Sequence, residues 1–272
     1  MSAPDAAPFT AALGLTAVAD GFGAVLADRW TVGPKAHGGL LLALCAKAAR
    51  CGLGVAGVQP LVVSASYLGA PEPGEVQLVV DVRKRGRTVS VVDVELRQGA
   101  RTAVHAVVTL GAPDDTEPLH VRRSDADAMT AEPASDAIDV GTHPIGRVMH
   151  LSSVCDLRLD RATAAFADAR VDGEAELRLW VRPRGQDPDA LFALMASDVS
   201  PPVILNLGRS GWAPTVQLTA LLRAEPAPGW LRVQTSSRCV GARWFDEEAV
   251  VTDSTGALVC QSRQLAVMPT GS

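Results

Sequence analysis

The sequence predicts an α+β protein made of two fused copies of one unit, a helix followed by an antiparallel meander of strands. Two observations predict it: helical and strand-like segments recur in the same order, and turn residues recur at a fixed spacing. Four turn residues of the first half recur in the second half at one fixed spacing, which is hard to attribute to chance in a chain with 24 glycines and 18 prolines. We name the two copies the first repeat and the second repeat. A shift of 155 residues carries Pro71, Pro73, Gly74 and Gly86 onto Pro226, Pro228, Gly229 and Gly241.

Composition restricts the classes of function. The chain has 272 residues, of which 47% are apolar, and this excludes a disordered protein. The net charge of −5 and the lack of a basic stripe argue against a nucleic-acid partner. The longest apolar stretches, such as 40–46, fall far short of the roughly 20 residues that span a bilayer. Residues 1–10 lack the basic patch and apolar core of a secretory signal, so we expect a cytoplasmic protein.

The chain also lacks the motifs of several cofactor-dependent and metal-dependent enzymes. It contains no P-loop, no G-x-S-x-G elbow and no H-E-x-x-H sequence. Its five histidines lack metal-ligand spacing with each other or with cysteine, so we expect neither a metal nor a cofactor. The five cysteines form no C-x-x-C pair and are expected to be reduced thiols. They are Cys45, Cys51, Cys155, Cys239 and Cys260.

The first repeat begins with a helix over 37–52. Apolar residues at Leu41, Leu44, Cys45 and Ala48 follow helical spacing, and Gly52 is the predicted stop. Turn-forming residues separate the strand-like segments that follow. These segments are Leu61–Leu68, Glu75–Lys84, Thr88–Arg97 and Thr102–Leu110.

The second repeat follows the same plan after a linker rich in Ala, Asp and Pro. A strand-like segment at 175–181 precedes a helix over 187–198, and four further strands follow. A shift of 150 residues places LLALCA (41–46) on LFALMA (191–196). We therefore divide the chain into an N-terminal unit, a linker and a C-terminal unit, at 1–112, 113–147 and 148–272.

Positions that are apolar in one repeat and polar in the other mark sites where more than folding is required. Asp198 lies seven residues after Leu191, on the same stripe as Leu194 and Met195, where the first repeat has Ala48. A carboxylate on a core-facing stripe is costly unless it is paired or used. The alternative is that Asp198 only ends the helix before Pro201.

Two further polar residues of the second repeat stand out in the same comparison. Thr215 aligns with Pro60 at the start of the strand after the helix. Gln264 aligns with Val107 by a shift of 157 and lies on an uncharged strand face. Either residue alone would ordinarily be a satisfied polar group. The joint divergence at 198, 215 and 264 predicts a site in the second repeat, and we expect Val107→Gln to change activity little.

At these residues the sequence resembles the acyl-CoA thioesterase II (TesB-like) family of bacterial double-hotdog enzymes, and more closely its actinobacterial relatives. The resemblance implies a double hotdog fold, and the family's catalytic residues fall onto Asp198, Thr215 and Gln264. The chain departs from the family at Gln217, where the enzymes often carry Asp. The matching stretches are RWTVGPKAHGGLLLAL (29–44), ALMASD (193–198), GWAPTVQLTALLRAEPAPGWL (211–231) and GALVCQSRQLAVM (256–268).

Thioester hydrolysis needs few groups, because the leaving thiol has a pKa near 8.5 and needs no strong acid. We expect Asp198 to be the general base for a water that Gln264 and Thr215 hold. A covalent anhydride on Asp198 is the less favoured variant. Backbone N–H groups at a helix start are expected to polarise the carbonyl. The candidate starts are His37–Gly39, which we expect to bind substrate, and Asp187–Ala190.

Two other functions remain open at this stage. A hotdog hydratase acting on enoyl thioesters would use a paired Asp and His, and the nearest match is Asp139 with His143 in the linker. A non-catalytic acyl-CoA-binding module is the second alternative. Hotdog relatives commonly associate, so the resemblance also implies a homo-oligomer, and it implies acyl-CoA as the substrate.

Overall fold

The computed structural model describes residues 7–114 and 116–270. Its α-helices are α1 (Pro8–Ala12), α2 (Gly38–Leu53) and α3 (Ala190–Ala196). The strands before the linker are β1 (Thr16–Val18), β2 (Gly21–Leu26), β3 (Thr31–Val32), β4 (Lys35–Ala36), β5 (Gln59–Tyr67), β6 (Gly74–Lys84), β7 (Val89–Gln98) and β8 (Arg101–Gly111). The remaining strands are β9 (Ile138–Asp139), β10 (Cys155–Leu159), β11 (Glu176–Pro183), β12 (Thr215–Leu222), β13 (Leu231–Ser236), β14 (Trp244–Thr252) and β15 (Leu258–Val267).

Both repeats contribute to one antiparallel sheet of 13 strands in the order β1-β2-β6-β7-β8-β5-β12-β15-β14-β13-β11-β10-β9. The order within the first repeat, β6-β7-β8-β5, is mirrored in the second as β12-β15-β14-β13. The two halves of the sheet join where β5 and β12 pair edge to edge, and the Ser64 and Thr219 hydroxyls lie 3.0 Å apart across this junction. This pairing protects two strand edges that would otherwise be exposed.

Helix α2 packs against α3 and against the strands β5, β6, β7 and β8 of the first repeat. Its residues from Leu40 to Ala46 are at most 1% exposed, so the helix is buried on every side over this stretch. The predicted stop at Gly52 is wrong by two residues, because Gly54 adopts the left-handed conformation that ends the helix (φ 65°). Gly52 has a packing role instead, since a Cβ there would lie 2.6 Å from Val80 Cγ1.

Helix α3 is shorter than the predicted 187–198. It begins after Asp189, whose carboxylate accepts a hydrogen bond of 2.8 Å from the Phe192 N–H. It ends at Ala196, with Ser197 as its C-terminal cap. Pro201 and the proline after it cannot continue a helix, because proline lacks the N–H group and restricts the preceding residue. Asp198 therefore lies just beyond the last turn.

The predicted linker contains short structure of its own and packs against the second repeat. Strand β9 pairs with β10 at the edge of the sheet. The buried guanidinium of Arg232 donates to the Met129 carbonyl at 2.8 Å, and the Trp180 indole donates to the Thr130 carbonyl at 2.8 Å. In the part of the chain that the structure describes, no helix is long and apolar enough to cross a membrane.

Candidate active site

The candidate site lies where the residues after α3 meet the first turn of α2. The His37 Nε2 atom is 3.0 Å from the backbone oxygen of Asp198. A Cβ on Gly39 would lie 2.5 Å from the Met195 carbonyl oxygen, and a Cβ on Gly38 would lie 2.7 Å from Asp198 Oδ2. Both glycines are thus required for the close approach of the two segments. The approach places the Asp198 carboxylate at the N-terminal, positive end of a 16-residue helix.

The Asp198 side chain is partly exposed but largely surrounded by protein atoms. Desolvation raises the pKa of its carboxyl group to about 7, and the backbone N–H of Gly39 opposes this shift by stabilising the charged form. A carboxylate with a pKa near the working pH is suited to accept a proton and to release it again. At neutral pH the Asp198 carboxyl group therefore exists in both its charged and its neutral form.

His37 is buried, and both of its ring nitrogens have partners. Nδ1 accepts a hydrogen bond of 3.2 Å from the Leu40 N–H, so His37 is the N-terminal cap of α2. The proton then lies on Nε2, which donates to the Asp198 carbonyl. Burial lowers the pKa of His37 to about 4, so the ring is neutral. In this arrangement His37 fixes the geometry of the helix start relative to Asp198.

Tyr67, the one tyrosine of the chain, adds a contact that the sequence did not reveal. Its hydroxyl donates to the Gly38 carbonyl at 2.9 Å from the end of β5. Burial, the Asp198 carboxylate and the Cys45 thiol all raise its pKa well above 10, so the hydroxyl keeps its proton. Tyr67 thereby holds the first turn of α2 against the sheet.

Thr215 and Gln264 come together at neighbouring strands. The Thr215 hydroxyl donates to Gln264 Oε1 at 2.6 Å. A β-bulge between Thr215 and Gln217 at the start of β12 inserts one extra residue, and such a bulge re-aims the side chains beside it. Gln217, the position where the chain departs from the family, points outward on the exposed face.

Asp198 and Gln264 line one small cavity. Its volume is about 10 Å³, which is about the room that one water molecule requires. Thr215 does not line this cavity but contacts it through Gln264. The structure thus brings the three predicted residues to one place. The lining residues are Ser197, Asp198, Ser200, Thr235, Glu247, Ala249, Ser262 and Gln264.

Glu247 is a second carboxyl group in this cavity, and the sequence analysis missed it. It is only 4% exposed and lies opposite Gln264 in the β14–β15 ladder. Its Oε2 accepts from Gln264 Nε2 at 2.6 Å, and its Oε1 accepts from the Val203 N–H at 2.8 Å. Desolvation raises its pKa to about 8, with a further contribution from the charge of Asp198.

The strand register corrects one alignment between the repeats. The bulge in β12 matches a bulge in β5 that begins at Pro60. Thr215 and Pro60 therefore occupy equivalent positions in the two repeats, as the sequence alignment predicts. Across this bulge Pro60 pairs with Leu110 and Thr215 pairs with Ala266. The counterpart of Gln264 is therefore Val108. The alignment with Val107 is wrong, because Val107 is 36% exposed on the opposite face of the strand.

The same register explains how Glu247 could have been found. In β7 and β8, Val92 pairs with Val108, just as Glu247 pairs with Gln264 in β14 and β15. Val92 and Val108 are both fully buried. The 155-residue shift that matched the turns also places Val92 on Glu247, so the rule that selected Asp198 selects Glu247 as well.

The other candidate groups have structural partners. At the start of α3 the Ala190 N–H donates to the Glu225 carboxylate at 3.1 Å, and Asp189 caps the helix. The pair considered for a hydratase is also engaged elsewhere. Asp139 forms an ion pair of 2.6 Å with Arg158, and His143 Nδ1 caps a short 3-10 helix. Across residues 7–114 and 116–270, no three His, Cys, Asp or Glu side chains are grouped to hold a metal ion.

Solved structures of similar shape define the class of this protein. A crystal structure of a provisionally assigned thioesterase II from Thermobifida fusca superimposes with a TM-score of 0.85 at 27% identity, covering 97% of this chain and 98% of that chain. A conserved protein of unknown function with a hot dog fold from Alicyclobacillus acidocaldarius gives a TM-score of 0.81 at 20% identity, covering 97% and 99%. The chain is a double-hotdog α+β protein, as predicted.

Family profiles define the class more closely. The N-terminal domain of acyl-CoA thioesterases matches residues 26–111, and the C-terminal domain matches residues 123–268. An uncharacterized protein of Mycobacterium tuberculosis is 48% identical over 263 residues, covering 90% of this chain and 89% of that protein. The chain belongs to the acyl-CoA thioesterase family.

Proposed function

We propose that this protein hydrolyses acyl-CoA thioesters to a free acid and CoA, with Asp198 as the general base. The observation that carries the proposal is the cavity of about 10 Å³ between Asp198 and Gln264. It has room for one water beside a carboxylate whose pKa is about 7. Membership of the acyl-CoA thioesterase family supports the acyl-CoA substrate.

In the proposed reaction the water gives a proton to Asp198 as its oxygen bonds to the thioester carbonyl carbon. The carbonyl oxygen takes up negative charge, and the N–H of Gly38 at the start of α2 stabilises it. The carbon–sulfur bond then breaks, and the electron pair leaves with the thiolate. Asp198 returns its proton to the sulfur. Gln264 and Thr215 orient the water, while Gly39 and His37 keep the helix start close to the base.

We favour the first turn of α2 over that of α3 as the source of the polarising N–H. At α3 two donors already serve the carboxylates of Asp189 and Glu225. A bound carbonyl would have to displace them, and negative charge nearby would oppose the developing oxyanion. Asp198 lies beside the first turn of α2, where Gly38 approaches within contact of the carboxylate.

The proposal extends to the setting of the enzyme. We propose that it acts in the cytoplasm as a homo-oligomer, without cofactor or nucleic acid, and that its units divide at 1–112, 113–147 and 148–272. Size-exclusion chromatography with light scattering checks the oligomer, and a mass of about 28.3 kDa would contradict it.

The test is thiol release from acyl-CoAs of several chain lengths by the wild-type protein and by Asp198→Asn. We expect turnover by the wild type and a loss of at least 10³-fold in the variant. Tight acyl-CoA binding without turnover would instead support a binding module. Hydration of an enoyl-CoA without thiol release would support a hydratase. An acyl adduct on Asp198 in quenched reactions would support the anhydride route.

A further inference from the structure

We propose that Glu247 is a positioning residue that fixes the orientation of the Gln264 amide and, through it, the direction of the Thr215 hydroxyl. The inference rests on the proposed function, because it assigns Glu247 a part in orienting the attacking water. The chain of contacts is short and continuous. The Val203 N–H donates to Glu247 at 2.8 Å, and the Gln264 amide nitrogen donates to the same carboxyl group at 2.6 Å. The Thr215 hydroxyl donates to the Gln264 amide oxygen at 2.6 Å.

The cost of Glu247 shows that folding alone does not explain it. A carboxyl group that is 4% exposed has lost most of its hydration, and its hydrogen bonds restore only part of what that loss costs. The first repeat solves the same packing problem with Val92 against Val108, both fully buried. The second repeat carries an acid and an amide at the matching pair, and the amide borders the cavity of Asp198.

The two hydrogen-bond partners of Gln264, the Glu247 carboxyl group and the Thr215 hydroxyl, determine how its amide is oriented. In its ionised form, which the hydrogen bonds from Val203 and Gln264 favour, Glu247 only accepts hydrogen bonds, so the side of the amide that faces it is the NH₂ group. The amide oxygen then faces Thr215 and accepts its hydroxyl proton. With its proton committed to Gln264, the Thr215 oxygen keeps free lone pairs. Thr215 does not line the cavity of Asp198, so it acts there through Gln264: the group that the amide presents to a water beside Asp198 depends on its contacts with both Glu247 and Thr215.

The variant Glu247→Gln tests this assignment because it keeps the size of the side chain and replaces one of its two acceptor oxygens by an NH₂ donor. The Val203 N–H still requires an acceptor, so the new carboxamide turns its oxygen toward Val203 and its NH₂ toward Gln264. Two NH₂ groups cannot bond to each other, so Gln264 rotates by half a turn and presents its NH₂ to Thr215. The Thr215 hydroxyl then loses its acceptor and must point elsewhere.

Neutron diffraction on the full-length wild type and on Glu247→Gln shows these orientations directly, because it distinguishes a deuterated amide nitrogen from oxygen. At pH 9, above the pKa of about 8 of Glu247, we expect the Gln264 NH₂ to face Glu247 in the wild type and Thr215 in the variant. In thiol-release assays at the same pH we expect kcat to fall about 10- to 100-fold with KM within about twofold. Glu248→Gln, on the exposed face of the same strand and paired with Arg238, is the matched control and is expected to leave both constants unchanged.

A double-mutant cycle with Thr215→Val separates positioning from a merely structural role. If Glu247 acts through Thr215, the loss caused by Glu247→Gln becomes much smaller in the Thr215→Val background. Additive losses, or a Gln264 amide that keeps its orientation in Glu247→Gln, would overturn the inference while leaving the proposed hydrolysis intact. A wild type without thiol release would refute the proposed function, and the neutron structures would still decide what Glu247 does to Gln264.

Discussion

The two repeats bury equivalent positions with different chemistry. In the first repeat Ala48, Val92 and Val108 fill the space between helix and sheet with apolar atoms. In the second repeat the pair matching the two valines is Glu247 and Gln264, beside Asp198 at the end of a shortened helix. The scaffold therefore folds with apolar residues at these places. Polar groups that cost stability in one repeat and are absent from the other are the expected mark of a functional site.

The site nevertheless needs both repeats. The first repeat supplies the helix start at His37, Gly38 and Gly39, and the second supplies the carboxylate of Asp198 that lies against it. The second repeat thus carries the acid and amide side chains, while the first repeat contributes the start of α2 and packs apolar residues at the equivalent positions. The predictions below test this division, beginning with the largest expected effect.

Asp198→Ala gives this position the residue type of its counterpart, Ala48. We expect kcat/KM for an acyl-CoA to fall at least 10³-fold, because the base is removed. We expect the protein to stay folded, since removal of a desolvated carboxylate relieves an unfavourable burial. Thiol release and thermal unfolding measure the two effects. Loss of soluble protein would show that the carboxylate is structural, and Asp172→Ala, whose side chain is 72% exposed, is the control.

Exchanging the residues at the equivalent positions 264 and 108 tests whether this difference between the repeats is needed for activity. Gln264→Val should lower kcat about 10²-fold, because the water loses its orienting amide. Val108→Gln should create no activity and should lower the free energy of unfolding by about 1–3 kcal/mol, because a buried amide finds no partners there. Val107→Gln, on the exposed face, should change neither quantity. Unchanged kcat in Gln264→Val would remove Gln264 from the site.

The pH dependence of the rate tests the state of Asp198. A base must be ionised, so kcat/KM should rise about tenfold per pH unit below its pKa of about 7 and level off above it. Thiol release measured between pH 5 and 9 gives this profile, and the residual activity of Asp198→Asn should lack the rise. A rate already level at pH 5 would contradict the assignment.

The same two carboxyl groups should make stability depend on pH. Their pKa values are raised in the folded protein, to about 7 for Asp198 and about 8 for Glu247. The folded state therefore holds protons that the unfolded state has already lost, and the free energy of unfolding contributed by these groups falls as pH rises from about 4 to 8. Urea unfolding across this range checks the sign. Asp198→Asn should flatten part of the slope, and an unchanged slope would contradict a desolvated carboxyl group at this position.

The smallest effect on activity is expected at Gly39, where the two repeats approach each other closely. Gly39→Ala would place a Cβ 2.5 Å from the Met195 carbonyl oxygen. Backbone cannot move aside easily, so we expect a loss of about 1–3 kcal/mol in stability and a severalfold fall in kcat. Gly23→Ala is the control, because its nearest neighbour would be 3.8 Å away. Equal unfolding midpoints for the two variants would show that the approach is not tight.

Much of the fold could be predicted from the sequence, because the turn residues Pro71, Pro73, Gly74 and Gly86 recur in one register and turn-forming residues separate the strand-like segments. The end of α2 could not, since Gly52 packs against Val80 while Gly54 adopts the positive φ that ends the helix. The pairing of β5 with β12 joins edges that no local pattern specifies.

The candidate site was predicted in part. Asp198, Thr215 and Gln264 were selected by contrast between the repeats, but the counterpart of Gln264 was one residue off, because the strand register requires a shift of 156 residues and not 157. Glu247 was accessible to the same comparison and was missed. The contact of His37 with the Asp198 backbone depends on how α2 and α3 cross, which the sequence does not reveal.

The most direct measurement is a crystal structure of Asp198→Asn with an intact acyl-CoA bound. The account predicts that the thioester carbonyl carbon lies about 3–3.5 Å from a water held by residue 198 and Gln264, with its oxygen toward the first turn of α2. It predicts no thioester beside Val92 and Val108. A thioester bound at those two valines, or far from both carboxyl positions of the second repeat, would contradict the account.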